Sequence, residues 1–337
     1  MMKRMHRSHF TAVAILALLV TCSAAFAQGE WTSNTPVPFP FGREGACIAG
    51  SGGAGFRIYI IAGFGPFGDS NTNTAYNPVT DSYTTGLAPR PGPASSEGAA
   101  VDHGDSIYCL GGRVPAAANR NDRYDPSSDS WTTLAPLPVP VAAEYSAAVV
   151  GQEIHVIGGR LPTLGATVPF SSPKTNAHQV FNVAEGTWST TSDPPLPGPA
   201  RSEMCAVAHG NTIYVMGGNV VPFDGAVATV NIYKASSKTW SLGAPMPAPR
   251  ANAACGVLGN SIYVTGGIHP FGVFHNDTFR YDIDTDTWTI DTPKPTATAE
   301  TTGVSHGGQI FVIGGGFFGA GAGALGMVNE SFRPTPP

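Results

Sequence analysis

Short apolar segments that end in glycine recur along the chain at a nearly constant interval. Each copy has four mostly apolar residues followed by Gly-Gly or, in the first copy, by Ala-Gly. The six copies occupy residues 58–63, 107–112, 154–159, 213–218, 262–267 and 310–315. Continuous apolar runs of this length predict strands that are buried on both faces. The glycine pairs predict that another part of the chain approaches the backbone closely.

A pair of aromatic residues, separated by six residues, follows each of the first five copies. The pairs are Tyr76/Tyr83, Tyr124/Trp131, Phe181/Trp188, Tyr233/Trp240 and Tyr281/Trp288. Large flat side chains at fixed positions predict packing between repeated units. In the sixth copy Phe332 takes the first position, and Trp31, near the start of the chain, has the sequence surroundings of the second. We therefore predict that residues 30–33 supply the outer strand of the last unit, which removes an open sheet edge.

A repeat of about 50 residues with this content resembles the kelch repeat, in which each unit forms one four-stranded blade of a β-propeller. The copies begin 49, 47, 59, 49 and 48 residues apart. The resemblance implies an all-β fold, a six-bladed kelch β-propeller with four antiparallel strands per blade, whose last blade is closed by the N-terminal strand of the mature chain. It covers residues 28–337, which we expect to form a single domain. The first blade departs from the pattern at Ala62 and Tyr83.

The composition excludes some classes of protein. Of the 337 residues, 42% are hydrophobic, which is enough to build a core, and only 12% are charged. The 18 Lys and Arg residues are outnumbered by 23 Asp and Glu residues, so there is no basic excess to attract phosphate groups. We therefore expect no nucleic-acid partner.

Residues 1–27 have the layout of a cleaved signal peptide. Basic residues precede an apolar run over residues 10–20, and Ala-Phe-Ala stands directly before Gln28. The run is too short to cross a bilayer comfortably, and the sequence offers no second candidate, so we expect no transmembrane helix in the mature chain. Lipidation at Cys22 is the less favoured alternative. We expect export to the periplasm or to the outside of the cell.

Four cysteines remain after cleavage, each inside an apolar, strand-like run: Cys47, Cys109, Cys205 and Cys255. An oxidising compartment permits disulfides, but interior strands of one sheet seldom present the required geometry. We therefore interpret all four as small buried side chains and not as bridges. The absence of a C-x-x-C motif argues against a zinc or redox site.

A polar residue, Glu in five units and Asn in one, recurs about ten residues before the apolar runs, at the predicted start of the innermost strand. The residues are Glu97, Glu144, Glu203, Asn252 and Glu300, with Glu44 in the first unit once a four-residue insertion is allowed for. Glu is depleted in strands, so its repetition here needs an explanation. We expect this ring of residues to line the mouth of the central channel.

Two interpretations of the ring stay open. In the architectural one, the carboxylates accept hydrogen bonds from backbone N–H groups or from an arginine of the next blade. The candidate arginines are Arg43, Arg201 and Arg250. In the second interpretation the ring is a ligand site, in which crowded carboxylates shift one another's pKa.

The segments after the glycine pairs add arginine and phenylalanine to the same mouth. Arg113 and Arg160 directly follow two of the pairs, and Phe67 and Phe271 belong to a repeated Pro-Phe motif. The phenylalanine rings either cover their own blades or form an aromatic platform. Aromatic rings, guanidinium groups and carboxylates around one funnel suit a carbohydrate ligand.

The resemblance leaves three functions to weigh. Kelch propellers that bind peptides have arginine at the Gly-Gly-Arg position, as here, but also at the inner-strand start, where this chain has glutamate. Secreted bacterial kelch proteins include sialic-acid mutarotases, thought to use channel-facing Glu and Arg. Galactose oxidase shares the fold and needs a copper site of two Tyr, two His and a Cys–Tyr crosslink. His269 and His275 are the only near pair of loop histidines and no cysteine lies in a loop, so we do not expect a copper oxidase.

We therefore expect an exported binding module for a carbohydrate or another small polar ligand, with no metal and no other cofactor. The ligand-binding candidates are the ring residues, Arg113, Arg160, Phe67 and Phe271. One alternative is a sugar mutarotase or epimerase that uses ring glutamates, although no particular glutamate is singled out as catalytic. The other is a platform for a protein partner.

Overall fold

In a computed structural model of the protein, the structure describes residues 28–38, 47–51, 55–65, 67–141, 143–162, 172–189, 193–221, 225–270, 272–317 and 324–335. Within these ranges, 25 strands form six antiparallel sheets. A short 3₁₀ helix, Pro115–Ala117, lies between two of the strands. None of the described residues forms a helix of the length and apolarity needed to cross a membrane.

In the first five blades, four consecutive strands pair in chain order. Blade 1 has β2 (Cys47–Ser51), β3 (Arg57–Gly65), β4 (Gly68–Asn77) and β5 (Ser82–Leu87). Blade 2 has β6 (Ala99–His103), β7 (Ser106–Leu110), β8 (Asn121–Asp125) and β9 (Ser130–Thr133). Blade 3 has β10 (Ser146–Val150), β11 (Glu153–Ile157), β12 (His178–Asn182) and β13 (Thr187–Trp188).

Blades 4 and 5 follow the same order. Blade 4 has β14 (Cys205–His209), β15 (Thr212–Met216), β16 (Val230–Lys234) and β17 (Thr239–Gly243). Blade 5 has β18 (Ala254–Leu258), β19 (Ser261–Thr265), β20 (Thr278–Asp282) and β21 (Thr287–Asp291). The predicted architecture of six four-stranded antiparallel blades is therefore confirmed, with one extra short strand in the sixth.

The sixth blade joins the two ends of the described chain. Its strands are β22 (Ala299–His306), β23 (Gln309–Phe317), β25 (Asn329–Arg333) and β1 (Glu30–Ser33), with β24 (Ala324–Leu325) paired to β23. Trp31 lies opposite Phe332 in the antiparallel β1–β25 pair, and its indole nitrogen donates to the carbonyl of Thr292 at 2.9 Å. The predicted closure of the last blade by residues 30–33 is confirmed.

The apolar runs form the second strand of each blade, and their isoleucines are almost completely buried. This holds for Ile58, Ile107, Ile154, Ile213, Ile262 and Ile310. Blades pack face to face, so a second strand contacts a neighbouring blade on each side, and hydrophobic clusters fill the spaces between blades. Burial on both faces explains why these strands are continuously apolar rather than alternating.

The outer tryptophans do more than pack. Each indole N–H donates to a backbone carbonyl in the segment that leaves the preceding blade. The pairs are Trp131 to Ala88, Trp188 to Ala135, Trp240 to Pro194 and Trp288 to Ala244, all at 2.8 Å. Tyr83, which replaces tryptophan in blade 1, donates its hydroxyl to the carbonyl of Thr35 at 3.2 Å. These bonds fix the position of each blade against the next.

The interpretation of all four cysteines as unbridged is wrong. Cys205 on β14 and Cys255 on β18 form a disulfide with a Cα–Cα distance of 6.1 Å, and Cys109 on β7 is disulfide-bonded as well. The reasoning assumed that the cysteines would face each other within one sheet. The Cys205–Cys255 bridge instead joins the inner strands of neighbouring blades, whose spacing fits disulfide geometry.

Candidate functional site

The ring residues of blades 2 to 6 form an arc around the axis, in which the backbone N–H of each residue donates to the carbonyl of the ring residue in the preceding blade. The N–H of Glu203 donates to the carbonyl of Glu144 at 2.7 Å, and that of Asn252 donates to Glu203 at 2.9 Å. Likewise, the N–H of Glu300 donates to the carbonyl of Asn252 at 2.9 Å, and that of Glu144 donates to the carbonyl of Glu97 at 3.4 Å. We call these five residues the channel collar. Their backbone bonds connect five successive blades.

Every collar residue adopts the left-handed backbone conformation, with φ between 54° and 63°. This conformation is uncommon for residues other than glycine, and costs about 1 kcal/mol or more per residue. It turns the chain just before the inner strand, so that the peptide group faces the neighbouring blade. Glu44, the remaining predicted member of the ring, lies outside the described residues.

The collar lies at one end of a central cavity of about 650 Å³. Gly98, Tyr145, Met204, Ala253 and Thr301, each directly after a collar residue, line the near end of this cavity. Its wall is built from the six inner strands and carries mostly small or aliphatic side chains. The structure therefore places the predicted ring at a mouth of the channel.

Arg160 bridges two collar glutamates of different blades. Its Nε lies 2.5 Å from Oε2 of Glu144, and its Nη2 donates to Oε1 of Glu203. Asn219 donates its side-chain amide to the other oxygen of Glu203 at 3.3 Å. The side chains of Arg160, Glu144 and Glu203 are only 3%, 8% and 6% exposed. Charge-assisted hydrogen bonds of this kind are stronger than neutral ones, so the cluster holds blade 3 against blade 4.

Arg113 forms a second, more accessible cluster between blades 1 and 2. Its Nη1 lies 3.7 Å from Oε1 of Glu97, and its Nη2 lies 3.3 Å from a carboxylate oxygen of Asp69. The guanidinium stacks over the ring of Phe64, 4.7 Å from its centre. Asp69 also accepts a hydrogen bond from the hydroxyl of Ser96 at 2.5 Å.

Collar carboxylates do pair with arginines, as the architectural interpretation expects, and the ligand-site interpretation stays open. The arginines involved are not the ones proposed from the sequence. Arg201 donates to the side-chain oxygen of Asn231, and Arg250 pairs with Asp277 at 2.5 Å. Both therefore bond within their own blades, Arg201 with Asn231 of β16 and Arg250 with Asp277 just before β20, and Arg43 lies outside the described residues. The partners are Arg113 and Arg160, the residues directly after the glycine pairs. Their position in the repeat was the signal that identified them as mouth residues.

Burial and nearby carboxylates raise the pKa of Glu144 well above its ordinary value. Burial is the larger cause and the charge of Glu203 adds to it, while Arg160 acts in the opposite direction. Nearby, Lys174 donates to the carbonyl of Asn219 at 2.7 Å, and burial lowers the pKa of its amine. The mouth therefore holds a carboxyl group that retains a proton more readily than usual, beside hydrogen-bond donors and acceptors.

Phe67 does not cover its own blade. Phe67 lies in the short turn between β3 and β4, and its side chain is fully exposed to solvent. The covering interpretation is therefore wrong for Phe67. The β3–β4 turn lies on the same side of the propeller as the collar, because β3 ends where the inner strand begins. Phe271, its counterpart in blade 5, lies outside the described residues.

Sequence reasoning missed Asp69 and Lys174, which belong to these clusters. Both lie in segments that follow a glycine pair and that vary in length between blades. The two loop histidines named above, His269 and His275, are in contact. His275 Nε2 lies 2.6 Å from the carbonyl oxygen of His269, and its Nδ1 lies 3.4 Å from Asp277.

Two family models match the chain. Residues 165–315 match the KLHDC2/KLHL20/DRC7 Kelch-repeats domain, and residues 96–138 match the Kelch motif. Among curated proteins, the chain is 26% identical to Kelch-like protein terF of Aspergillus terreus over 98% of this chain and 76% of the relative. It is 30% identical to Kelch-like protein 41b of Danio rerio, over 40% of this chain and 22% of that protein.

One solved structure, described as "Structure of YjhT", has the same fold. It superposes with a TM-score of 0.71 at 16% sequence identity, over 89% of this chain and 96% of the other. At this level of identity the match concerns the fold alone.

Proposed function

Because the chain is a kelch-repeat β-propeller, we propose that it is a binding module whose ligand site lies at the channel mouth around the collar. The fold is one that serves binding and protein interaction, but a fold by itself does not specify a ligand. The proposal therefore depends on the side chains at the mouth. A protein partner at the same face is the alternative occupant.

The observation that carries the proposal is the pair of charged clusters at the collar. Carboxylates of Glu97 and Asp69 pair with Arg113 in one cluster, and the carboxylate of Glu203 pairs with Asn219 in the other. Sugar hydroxyls both donate and accept hydrogen bonds, so acceptors and donors held close together at one mouth are complementary to them. Phe67, which is fully exposed on the same side, offers the flat apolar surface that stacks on a sugar ring. We therefore infer that the ligand is a carbohydrate or another small polyhydroxylated molecule.

A glycan array followed by calorimetry on its strongest hit tests this proposal. We expect Phe67→Ala and Arg113→Gln each to weaken binding at least about tenfold, since aromatic and arginine side chains dominate binding energies. Val79→Ala is the matched control, because Val79 is also exposed in a turn of blade 1 but lies between β4 and β5. Unchanged affinity in both test variants, or no hit on the array, would overturn the carbohydrate proposal.

The raised pKa of Glu144 favours one further candidate function, a sugar mutarotase. Opening of a sugar ring needs one group to protonate the ring oxygen and another to take the proton of the anomeric hydroxyl. Glu144 would donate the first proton, and a neighbouring collar carboxylate would accept the second. NMR exchange between the anomers of aldoses and of sialic acid, with wild-type protein and with Glu144→Gln, tests this. A wild-type rate no higher than the spontaneous one across the panel would reject it.

We also propose that the protein is exported and that residues 1–27 are removed. The basic and apolar segments before Gln28 support cleavage there, and the Cys205–Cys255 bridge is of a kind that persists in oxidising compartments. Cell fractionation and N-terminal sequencing of the native protein test it. A cytosolic protein that retains Lys3 and Arg4 would contradict the proposal.

A further inference from the structure

The interface between blades 3 and 4 contains residues that break the repeat. The position of His155 on the second strand holds an aromatic residue in the other five blades, namely Tyr59, Tyr108, Tyr214, Tyr263 and Phe311. The position of His178 on the third strand holds no histidine elsewhere, with Asn73, Asn121, Val230, Thr278 and Asn329 in its place. The packing of the propeller therefore does not require histidine at either position.

These two histidines and one aspartate meet inside the protein. His155 Nδ1 lies 2.9 Å from His178 Nε2. One ligand atom from each of His155, His178 and Asp193 lies within 4.8 Å of the others. All three residues are buried. His155 and His178 come from β11 and β12 of blade 3, and Asp193 comes from the segment that leads to blade 4.

The surroundings hold each of the three side chains in a fixed orientation. The outward nitrogen of His178 lies 3.3 Å from the carbonyl oxygen of Pro194. The outward nitrogen of His155 lies 3.7 Å from a carboxylate oxygen of Glu153, and this buried atom has no hydrogen-bond partner among the described residues. Metal-binding histidines commonly donate their second N–H to a carbonyl or carboxylate oxygen. Pro194 offers such an acceptor to His178, and Glu153 is the nearest carboxylate to the outward nitrogen of His155.

Asp193 is held from the side of blade 4. The hydroxyl of Tyr233 donates to one carboxylate oxygen at 2.5 Å, and the amine of Lys238 donates to the other at 2.7 Å. Lys238 is itself a departure from the repeat, because three other blades have aspartate in this turn: Asp81, Asp129 and Asp286. The side chain of Lys238 is 54% exposed, so it can turn into solvent when another cation approaches Asp193.

We propose that His155, His178 and Asp193 form a binding site for a divalent transition-metal ion of the Zn²⁺ class, which connects blade 3 to blade 4. Two imidazole nitrogens and a carboxylate oxygen are donors that Zn²⁺ and Co²⁺ accept, and three protein ligands leave one position open. Two nitrogens on a tetrahedral zinc lie about 3.4 Å apart. To bind one ion, the two nitrogens need to separate by about 0.5 Å and to tilt toward a common point. The proton between them moves to the other nitrogen of the ring that carries it, beside Glu153 for His155 or beside the carbonyl of Pro194 for His178, so that both rings bind as neutral imidazoles.

The protonation state of the histidines agrees with this geometry. Burial lowers the pKa of His155 to about 3, and the neighbouring His178 acts in the same direction. Burial likewise lowers the pKa of His178 to about 4. Both rings are therefore neutral at pH 7, and a neutral imidazole is the form that binds a metal.

The test uses the full mature chain without a histidine tag, treated with a chelator and then supplied with Zn²⁺ or Co²⁺. We expect one ion per chain after desalting, a rise in melting temperature with Zn²⁺ and the intense visible absorption of tetrahedral Co²⁺. The variant His178→Asn introduces the residue that blade 2 has at the same position, Asn121, so we expect it to fold. Loss of a ligand should weaken Zn²⁺ binding at least about 100-fold.

His209→Asn is the matched control. His209 is the last residue of the inner strand β14 and is not one of the three proposed ligands, so this substitution should leave Zn²⁺ binding unchanged. Equal Zn²⁺ affinity of wild type and His178→Asn would overturn the proposal, because the ion would then be bound elsewhere. If His178→Asn fails to fold, the Co²⁺ spectrum of the wild type decides, and a spectrum without tetrahedral bands overturns the proposal. Neither readout depends on carbohydrate binding, so this site and the proposed function are tested separately.

Discussion

Gly267 and Gly259 have similar backbone angles in blade 5 but very different surroundings. Their φ values are +88° and +57°, both in the left-handed region. A Cβ atom at Gly267 would lie 2.8 Å from the carbonyl oxygen of Ala251, whereas no heavy atom lies within 4 Å at Gly259. Gly267, the second glycine of the Gly266-Gly267 pair, therefore lies so close to the turn before the inner strand that no side chain fits there.

We expect Gly267→Ala to lower the free energy of unfolding by about 3 kcal/mol and Gly259→Ala by only about 1 kcal/mol. Both substitutions incur the cost of a left-handed alanine, and only the first adds an overpacked contact with backbone. Urea denaturation of the two variants measures the difference. Equal losses would show that the close approach at Gly267 has no energetic consequence.

The raised pKa of Glu144 makes a second prediction, on pH dependence. A carboxyl whose pKa is higher in the folded than in the unfolded state binds its proton more tightly when folded. Its contribution favours folding at low pH and is lost as the pH rises from the unfolded value of about 4.3 through the folded value. Glu144→Gln copies the protonated form, so its stability should depend less on pH.

Urea midpoints at pH 4.5 and pH 8 for wild type and Glu144→Gln measure this slope. Glu185→Gln, at an exposed turn, is the control and should keep the slope of the wild type. If the slope is the same in all three proteins, the burial of Glu144 beside Glu203 does not raise its pKa.

At the level of single residues, the sequence predicted positions better than partners. The collar could be located because its glutamates repeat at a fixed distance from the apolar runs. Its left-handed backbone and the choice of Arg160 over Arg201 as partner could not be predicted. The first depends on a backbone hydrogen bond to the neighbouring blade and the second on how far a side chain reaches across a blade interface, and one repeat unit alone contains neither kind of information.

Among the elements, β1 carries a clear expectation, because it covers the edge of β25. A chain that begins at Asn34 should melt at a lower temperature than one that begins at Gln28 and should associate on standing. The shorter chain loses the Trp31 indole bond to Thr292 and exposes an unpaired strand edge. Differential scanning calorimetry and light scattering measure both effects. A truncated protein that remains equally stable and monomeric would mean that the blade closes without β1.

The closure by β1 was predictable because its evidence is local. Trp31 is followed by Thr32, just as the other outer tryptophans are each followed by Thr or Ser, so a displaced fourth strand could be recognised. The indole hydrogen bonds between blades were not predictable in the same way. Their acceptors, such as Ala88 and Ala135, are backbone carbonyls, and a carbonyl can serve as acceptor whatever the side chain.

At the scale of the whole molecule, the Cys205–Cys255 bridge closes a loop with a sequence separation of 50 residues. Replacing both cysteines by serine should lower the free energy of unfolding by about 3 kcal/mol, since the unfolded chain gains conformational freedom. Denaturation with and without dithiothreitol measures this for the two proteins. If the serine variant is as stable as the oxidised wild type, the bridge does not contribute to stability.

Neither the bridge nor the histidine cluster could be predicted from the sequence, because each depends on which parts of the chain become neighbours in the folded propeller. The bridge joins residues of blades 4 and 5 with a sequence separation of 50, and the cluster joins His155 and His178 of blade 3 to Asp193 in the segment that follows. His155 and Lys238 do stand out when the units are compared. That Asp193 completes their group follows only from the path of the segment between blades 3 and 4.

The antiparallel pairing of β1 with β25 sets Glu30 beside Arg333, so the two ends of the described polypeptide meet on one outer strand pair. A short linker could join them there, and the covalent chain could instead be interrupted at the turn between β16 and β17. Such a circular permutant would keep the β-ladders of every sheet and merely transfer the split from blade 6 to blade 4. The closed architecture therefore dictates the neighbours of each blade, but not which blade is synthesised first.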